Sequence, residues 1–151
     1  MAGLRIGSII GIKETINSVR TILINDLGTN LIAQAGAIAA LKSKDSWIDE
    51  ITNITRNNQI LIKECVDEIK GVFIPVYPSD GNMLAIDLKA TGISPKEMAN
   101  YLLDKKIFTR EGNYTSKLFG DNYLRVSFSI PEEKVKIFVR EFKIAVEELR
   151  K

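Results

Sequence analysis

Residues 123–129 read Tyr-Leu-Arg-Val-Ser-Phe-Ser, a strict alternation of apolar and polar side chains broken only at its ends. A period of two is the repeat of a β-strand, so Leu124, Val126 and Phe128 share one face while Tyr123, Arg125, Ser127 and Ser129 share the other. A strand of this kind is dry on one side and wet on the other, the habit of an antiparallel sheet covered on a single face. Arg125 stands at the centre of the polar face. Its guanidinium is permanently charged, and its planar fork matches a carboxylate or phosphate through two parallel hydrogen bonds. From the strand alone two readings stand: a solvated charge on an open sheet face, or an anion clamp held on a rigid element.

The flanking segments supply the cover such a strand needs. After Pro131, Val135, Phe138, Val139, Phe142, Val146 and Leu149 recur at helical spacing up to Lys151, which predicts a helix with one apolar stripe facing the core. Residues 45–70 predict a long amphipathic helix, with Asp45 or Ser46 as its cap, Ile48, Ile51, Ile54, Leu61, Cys65 and Ile69 near one stripe, and Gly71 as its stop. Val72–Tyr77, interrupted by Pro75, reads as an edge strand. A turn at Pro78–Gly81 leads to a strand over Asn82–Leu88. Ser94-Pro95-Lys96-Glu97 is a capping box with proline at the first helical position, opening a helix that carries Met98, Tyr101 and Leu102 inward. Ile107–Glu111 is a short strand, and Gly112–Asn122 a polar loop. Helix, strand, strand, helix, strand, strand, helix makes an α+β layer, a small antiparallel-rich sheet with helices on one side.

The N-terminal third is different. Gly3, Gly7 and Gly11 surround a nearly all-apolar stretch, Ile6–Ile10, that reads as a strand suited to burial on both faces, yet no strand follows it as a neighbour. Residues 13–44 are helical in pattern, with Ile16, Val19, Ile22 and Leu23, then a break at Asp26–Asn30, then an alanine-rich run from Leu31 to Leu41. Residues 1–44 therefore read as a piece of something larger, set against the α+β layer of 45–151.

Composition narrows the chemistry. The 151 residues carry 21 Lys and Arg against 19 Asp and Glu, with the signs interspersed and no basic patch, so nucleic acid is a poor partner. With no histidine and a single cysteine, Cys65, there is no internal disulfide, no zinc set and no histidine triad; carboxylates could still hold magnesium, but no residues are singled out as metal ligands. The longest apolar run is too short to span a bilayer, and no signal peptide is evident. A cytoplasmic chain without a membrane partner is the expectation.

Three stretches together resemble one family. Gly3-Leu4-Arg5-Ile6-Gly7 is similar to the Gly-Leu-Arg-(Ile/Leu)-Gly motif of class I/II aminotransferases, the fold-type I enzymes that use pyridoxal 5'-phosphate. Gln34-Ala35-Gly36-Ala37-Ile38-Ala39-Ala40-Leu41 resembles that family's Gln-x-Ala-x-x-Ala-Ala-Leu helix, and Tyr123–Phe128 its C-terminal (Ile/Leu)-Arg-(Ile/Val)-Ser strand. Order and separations agree along the chain.

The resemblance implies roles. Arg5 matches the arginine that binds the cofactor phosphate, and Arg125 the arginine that pairs with the substrate α-carboxylate. Ser79–Met83 and Phe108-Thr109-Arg110 are similar to the histidinol-phosphate branch, where Arg110 would hold an anionic substrate group, while Arg125-Val126-Ser127-Phe128 is nearer the aspartate and aromatic branches. The branch stays open, and so does Arg110 as a substrate contact or a solvated rim charge. The family's Schiff-base lysine stands eight residues before the motif arginine, a position ahead of Met1, and the glycine-rich cofactor loop, the aspartate at the pyridine nitrogen and the stacking aromatic are also missing. The expectation is a C-terminal aminotransferase fragment: a remnant of the large cofactor-binding domain at 1–44 and the small domain at 45–151. Alone it should be inactive and bind no cofactor, whereas the intact enzyme would move an amino group between an amino acid and a 2-oxo acid. The alternative is a non-catalytic binding module that reuses the small domain. The exposed apolar surface of residues 1–44 predicts a homodimer or other self-association.

Overall fold

Partners for the alternating strand come from both sides of it. The computed structural model describes residues 2–22 and 28–150. These fall into two compact units, 1–49 and 50–151. In the second unit, β1 (Met83–Asp87), β2 (Arg110–Glu111) and β3 (Tyr123–Ser127) form an antiparallel sheet in the order β1-β3-β2. The register sets Leu84 opposite Val126 and Ile86 opposite Leu124. All four side chains are buried, whereas Met83 and Ser127 on the other face are exposed.

Three helices cover the apolar face: α3 (Ile48–Asp67), α4 (Pro95–Asp104) and α5 (Glu132–Leu149). The stripe expected on α5 is the stripe that is buried at Val135, Phe138, Phe142 and Val146, with Ala145 beside them. The Phe138 and Phe142 rings sit 5.4 Å apart. Each large apolar side chain removed from water here contributes about 1.5–3 kcal/mol. Helix α4 starts as its sequence dictates. Ser94 Oγ accepts from the Lys96 amide at 3.2 Å, and the Ser94 amide donates to Glu97 Oε2 at 3.3 Å.

Four expectations need correction. Ile6–Ile10 is not a strand, because a backbone row needs a neighbouring row to pair with and none of the described residues supplies one. Val72–Tyr77 makes only a single bridge, Phe73 to Asp87, because Pro75 has no N–H to continue a ladder. The strand expected over Ile107–Glu111 shortens to its last two residues. On α3 the buried row is Asn58, Gln59, Ile62, Cys65 and Val66, while Ile48, Ile51 and Ile54 are exposed and residues 44–46 form a separate 3-10 turn.

The two buried amides on α3 are structural ties. Asn58 Nδ2 donates to Phe128 O at 2.9 Å and to Ile130 O at 2.8 Å, fixing the chain as it leaves β3. Gln59 Nε2 donates to Ser79 O at 2.9 Å, and its Oε1 accepts from the Ser79 amide at 2.8 Å, clamping the turn ahead of β1.

The first unit contains α1 (Lys13–Ile22) and α2 (Leu31–Lys42). Asn30 caps α2, its Oδ1 accepting from the Ala33 amide at 3.1 Å. Trp47 Nε1 donates to Ala40 O at 3.3 Å. Helix α2 is apolar nearly all round, and Leu31 and Ile32 are 80% and 77% exposed. The expected contribution of Leu23 and the start of the break at Asp26 lie outside the described residues.

Two outcomes follow from the buried interior. Asn58→Leu leaves the buried Phe128 carbonyl and the half-buried Ile130 carbonyl without donors and should cost about 1–3 kcal/mol in denaturant unfolding. Burial, the largest influence, pushes the Cys65 thiol up from 9.0 to about 11. The thiol should therefore stay unreactive toward alkylating reagents near pH 8 unless the chain unfolds. Its contribution to stability is complete below about pH 9 and is lost as pH rises toward about 11. Comparing alkaline unfolding of the wild type and Cys65→Val reads this out, the variant losing less stability across that window.

Candidate functional site

The register that buries Leu124 and Val126 lifts Arg125 onto the open face and sets it opposite Arg110 of β2. Like charges directly opposite on a sheet repel, so the pair needs compensation. It comes from an aromatic ring. Tyr114 lies under both guanidinium groups, 4.1 Å from Arg110 and 5.4 Å from Arg125, and Phe108 lies 5.2 Å from Arg110. Cation–π contacts of this kind contribute about 0.5–1 kcal/mol each at exposed sites. No carboxylate of the described residues comes within ion-pairing distance of either arginine. Two half-buried forks thus sit side by side on a rigid strand pair with their donors unclaimed, an arrangement suited to an anion.

Tyr114 is held in place by a tight loop. A 3-10 turn at Gly112–Tyr114 packs against another at Gly120–Asn122. A Cβ on Gly112 would stand 2.6 Å from Gly120 O and 2.8 Å from the Tyr123 ring, and one on Gly120 would meet the Asn113 backbone at 2.4 Å. Neither position can carry a side chain without moving the loop. Asn113 Nδ2 donates to Asp121 Oδ1, and the Thr115 and Tyr123 hydroxyls bond at 2.8 Å. A cleft of about 240 Å³ opens beside Arg110 and Tyr114, walled by α4 through Lys96, Asn100 and Leu103.

The structure brings Arg110 and Arg125 together. Arg5 belongs to the first unit, where it is exposed at a left-handed φ of 53° and pairs with no described residue. Tyr114 is the side chain of this cluster that sequence reasoning missed, and an aromatic inside an otherwise polar glycine-flanked loop was the available signal.

A protein-family model for aminotransferase class I and II matches residues 1–142. The chain belongs to the class I and II aminotransferases. Among curated members of that family, it is 28% identical to histidinol-phosphate aminotransferase 1 of Oceanobacillus iheyensis over 91% of this chain and 37% of that protein. It is 25% identical to the aspartate aminotransferase of Sulfurisphaera tokodaii, over 95% of this chain and 37% of that protein. Among solved structures, the α-aminoadipate aminotransferase of Thermus thermophilus, complexed with N-(5'-phosphopyridoxyl)-L-leucine, superposes with a TM-score of 0.74. That match has 19% identity and covers 98% of this chain and 39% of the other. The aminotransferase chain described here thus spans a little over a third of the length of these relatives.

Gly112→Val should open the loop and unseat Tyr114. The expected result is a weaker near-ultraviolet tyrosine dichroism and faster proteolytic cleavage between residues 112 and 122, with the helices still folded by far-ultraviolet circular dichroism.

Proposed function

We propose that this chain is the C-terminal portion of a pyridoxal-phosphate-dependent aminotransferase, which moves an amino group between an amino acid and a 2-oxo acid. The observation that carries this reading is the Arg110–Arg125 pair, two unclaimed guanidinium groups on adjacent strands over one tyrosine ring. Arg125 takes the substrate α-carboxylate through its two parallel donors. Arg110, directly opposite, holds a second anionic group of the substrate, so a dicarboxylate or phosphorylated amino acid fits better than a neutral one. The rigid strand pair fixes the orientation of the bound acid, and Tyr114 excludes water from one side of it.

Arg5 is the residue of this chain that would hold the cofactor phosphate. Its fit is one of donor chemistry and access: an exposed guanidinium without a protein partner, between Gly3 and Gly7, where added Cβ atoms would meet nothing within 4 Å. When bound, pyridoxal phosphate supplies the electron sink for amino transfer. Residues 1–44 are read as part of the large cofactor-binding domain, and 45–151 as the small domain. The 151 residues hold no lysine eight positions before Arg5, and we infer that by themselves they do not transaminate.

A second reading draws on one observation of its own. Ile9, Ile10, Leu31 and Ile32 are 68%, 95%, 80% and 77% exposed in the first unit. An apolar surface of that kind promotes association, and a non-catalytic module that pairs with copies of itself would cover it.

The test is a titration of the chain with 2-oxoglutarate and with pyruvate, followed by nuclear magnetic resonance. Arg125→Lys should weaken both at least about tenfold, because an ammonium cannot reproduce the bidentate fork. Arg110→Ala should weaken 2-oxoglutarate and leave pyruvate nearly unchanged. Unaltered affinities in both variants would sink the assignment. Incubation of the chain with pyridoxal phosphate and an amino acid should yield no 2-oxo acid, and turnover would show that another lysine serves. Sedimentation separates the second reading, which requires a stable oligomer that retains no selectivity for 2-oxo acids.

A further inference from the structure

Next to the arginine pair, β2 stops short and leaves a cleft of about 490 Å³ that contains neither arginine. Its floor is apolar, with Phe108, Ile130, Ile137 and Phe138 among its lining, and Phe108 and Ile137 are 70% and 44% exposed. Its rim carries Lys105, Lys106 and Lys134. None of the three pairs with a carboxylate of the described residues, although every other lysine on α5 does. Lys106 adds a point of its own. It stands at φ 65°, the position closing α4, with its amide bonded to Leu103 O at 2.9 Å and the next amide to Leu102 O at 2.8 Å. Glycine is the usual residue at such a helix end because a side chain there is strained. The chain keeps a cation at the cleft instead.

The backbone in the cleft is also unclaimed. The Phe128 amide donates to Asn82 O at 3.3 Å, which by the alternation of an antiparallel ladder turns the N–H of Phe128 and the N–H and C=O of Leu124 and Val126 toward β1. Those of Ser127 therefore point the other way, into the cleft. Residue 108 would meet Ser127 if β2 continued, but β2 begins at Arg110, and Ser127 makes no backbone bond on that side among the described residues. Thr109 Oγ1, in the same wall, is buried without a partner.

We propose that this cleft docks an extended peptide segment that alternates apolar and acidic side chains. The segment adds a strand to the open edge of β3 at Ser127, sets its apolar side chains on the Phe108–Phe138 floor, and brings its acids to Lys105, Lys106 and Lys134. Main-chain pairing at a free sheet edge supplies affinity, and the floor and rim supply selectivity. The occupant is chosen by charge: a cleft with three cations that lack a carboxylate partner, one of them Lys105 resting 5.5 Å from the Tyr101 ring, and with no acid in its lining rejects a basic strand.

The probe is a dye-labelled, end-capped heptapeptide alternating Glu and Val, titrated into the 151-residue chain by fluorescence anisotropy. Saturable binding is expected, at least about tenfold tighter than for the Lys–Val counterpart or for the Glu–Val peptide methylated at alternate amide nitrogens. The Ser127 amide should exchange more slowly with solvent in the complex. Lys105→Glu, Lys106→Glu and Lys134→Glu together should weaken binding by about tenfold or more. If that variant fails to fold, the peptide changes alone decide. Equal binding of the acidic and basic peptides, or unchanged Ser127 exchange at saturation, overturns the proposal. So does absence of binding, or Ser127 protection that rises with protein concentration alone, which would assign the cleft to a second copy of this chain.

Discussion

A sheet can hold two bare arginines side by side on one face only if the other face is sealed. Here the seal is the row Leu84, Ile86, Leu124 and Val126 against the helices, with Phe128, Phe138 and Phe142 filling behind it. Shifting β3 by one residue would drive Arg125 into that apolar layer and carry Leu124 into water, so the register is set by burial rather than by the arginine itself. The ties from Asn58 to the carbonyls of Phe128 and Ile130 then fix where the strand ends. The geometry of the arginine pair is thus a by-product of a core that contains no charge.

The parts of the fold legible in sequence are those where one chain segment decides its own environment. The alternation of 123–129, the capping box at Ser94–Glu97 and the stripe on α5 each carry their burial pattern in their spacing, and each is found where that spacing puts it. What failed depended on a partner. The Ile6–Ile10 stretch has strand composition but no neighbour among the described residues, and Val72–Tyr77 has a neighbour but lacks the donor at Pro75. On α3, isoleucines drew the expected stripe toward Ile48–Ile54, whereas the buried row runs through Asn58 and Gln59. Those amides are inside because distant backbone groups need them, and nothing in their local spacing says so.

The site was half legible. Arg125 can be singled out from its place in the strand and Arg110 by family likeness, but their direct opposition is a matter of register between two separate segments. The ring that lies under both comes from the intervening loop, whose polar composition hides its rigidity. Aminotransferase family membership supplies the likeness, and the local contacts supply the reason two like charges tolerate each other there.

The interlock of Gly112 with Gly120 divides that loop into two parts with different freedom to vary. Its base is set by backbone packed on backbone, and it fixes the spacing between Tyr114 and the strand. Its tip is not: Leu118 and Phe119 are 86% and 66% exposed, outside the locked stretch. The tip can therefore change its sequence without disturbing the two arginines and the tyrosine beneath it. Freedom at the tip and rigidity at the base are uncoupled within the eleven residues from Gly112 to Asn122.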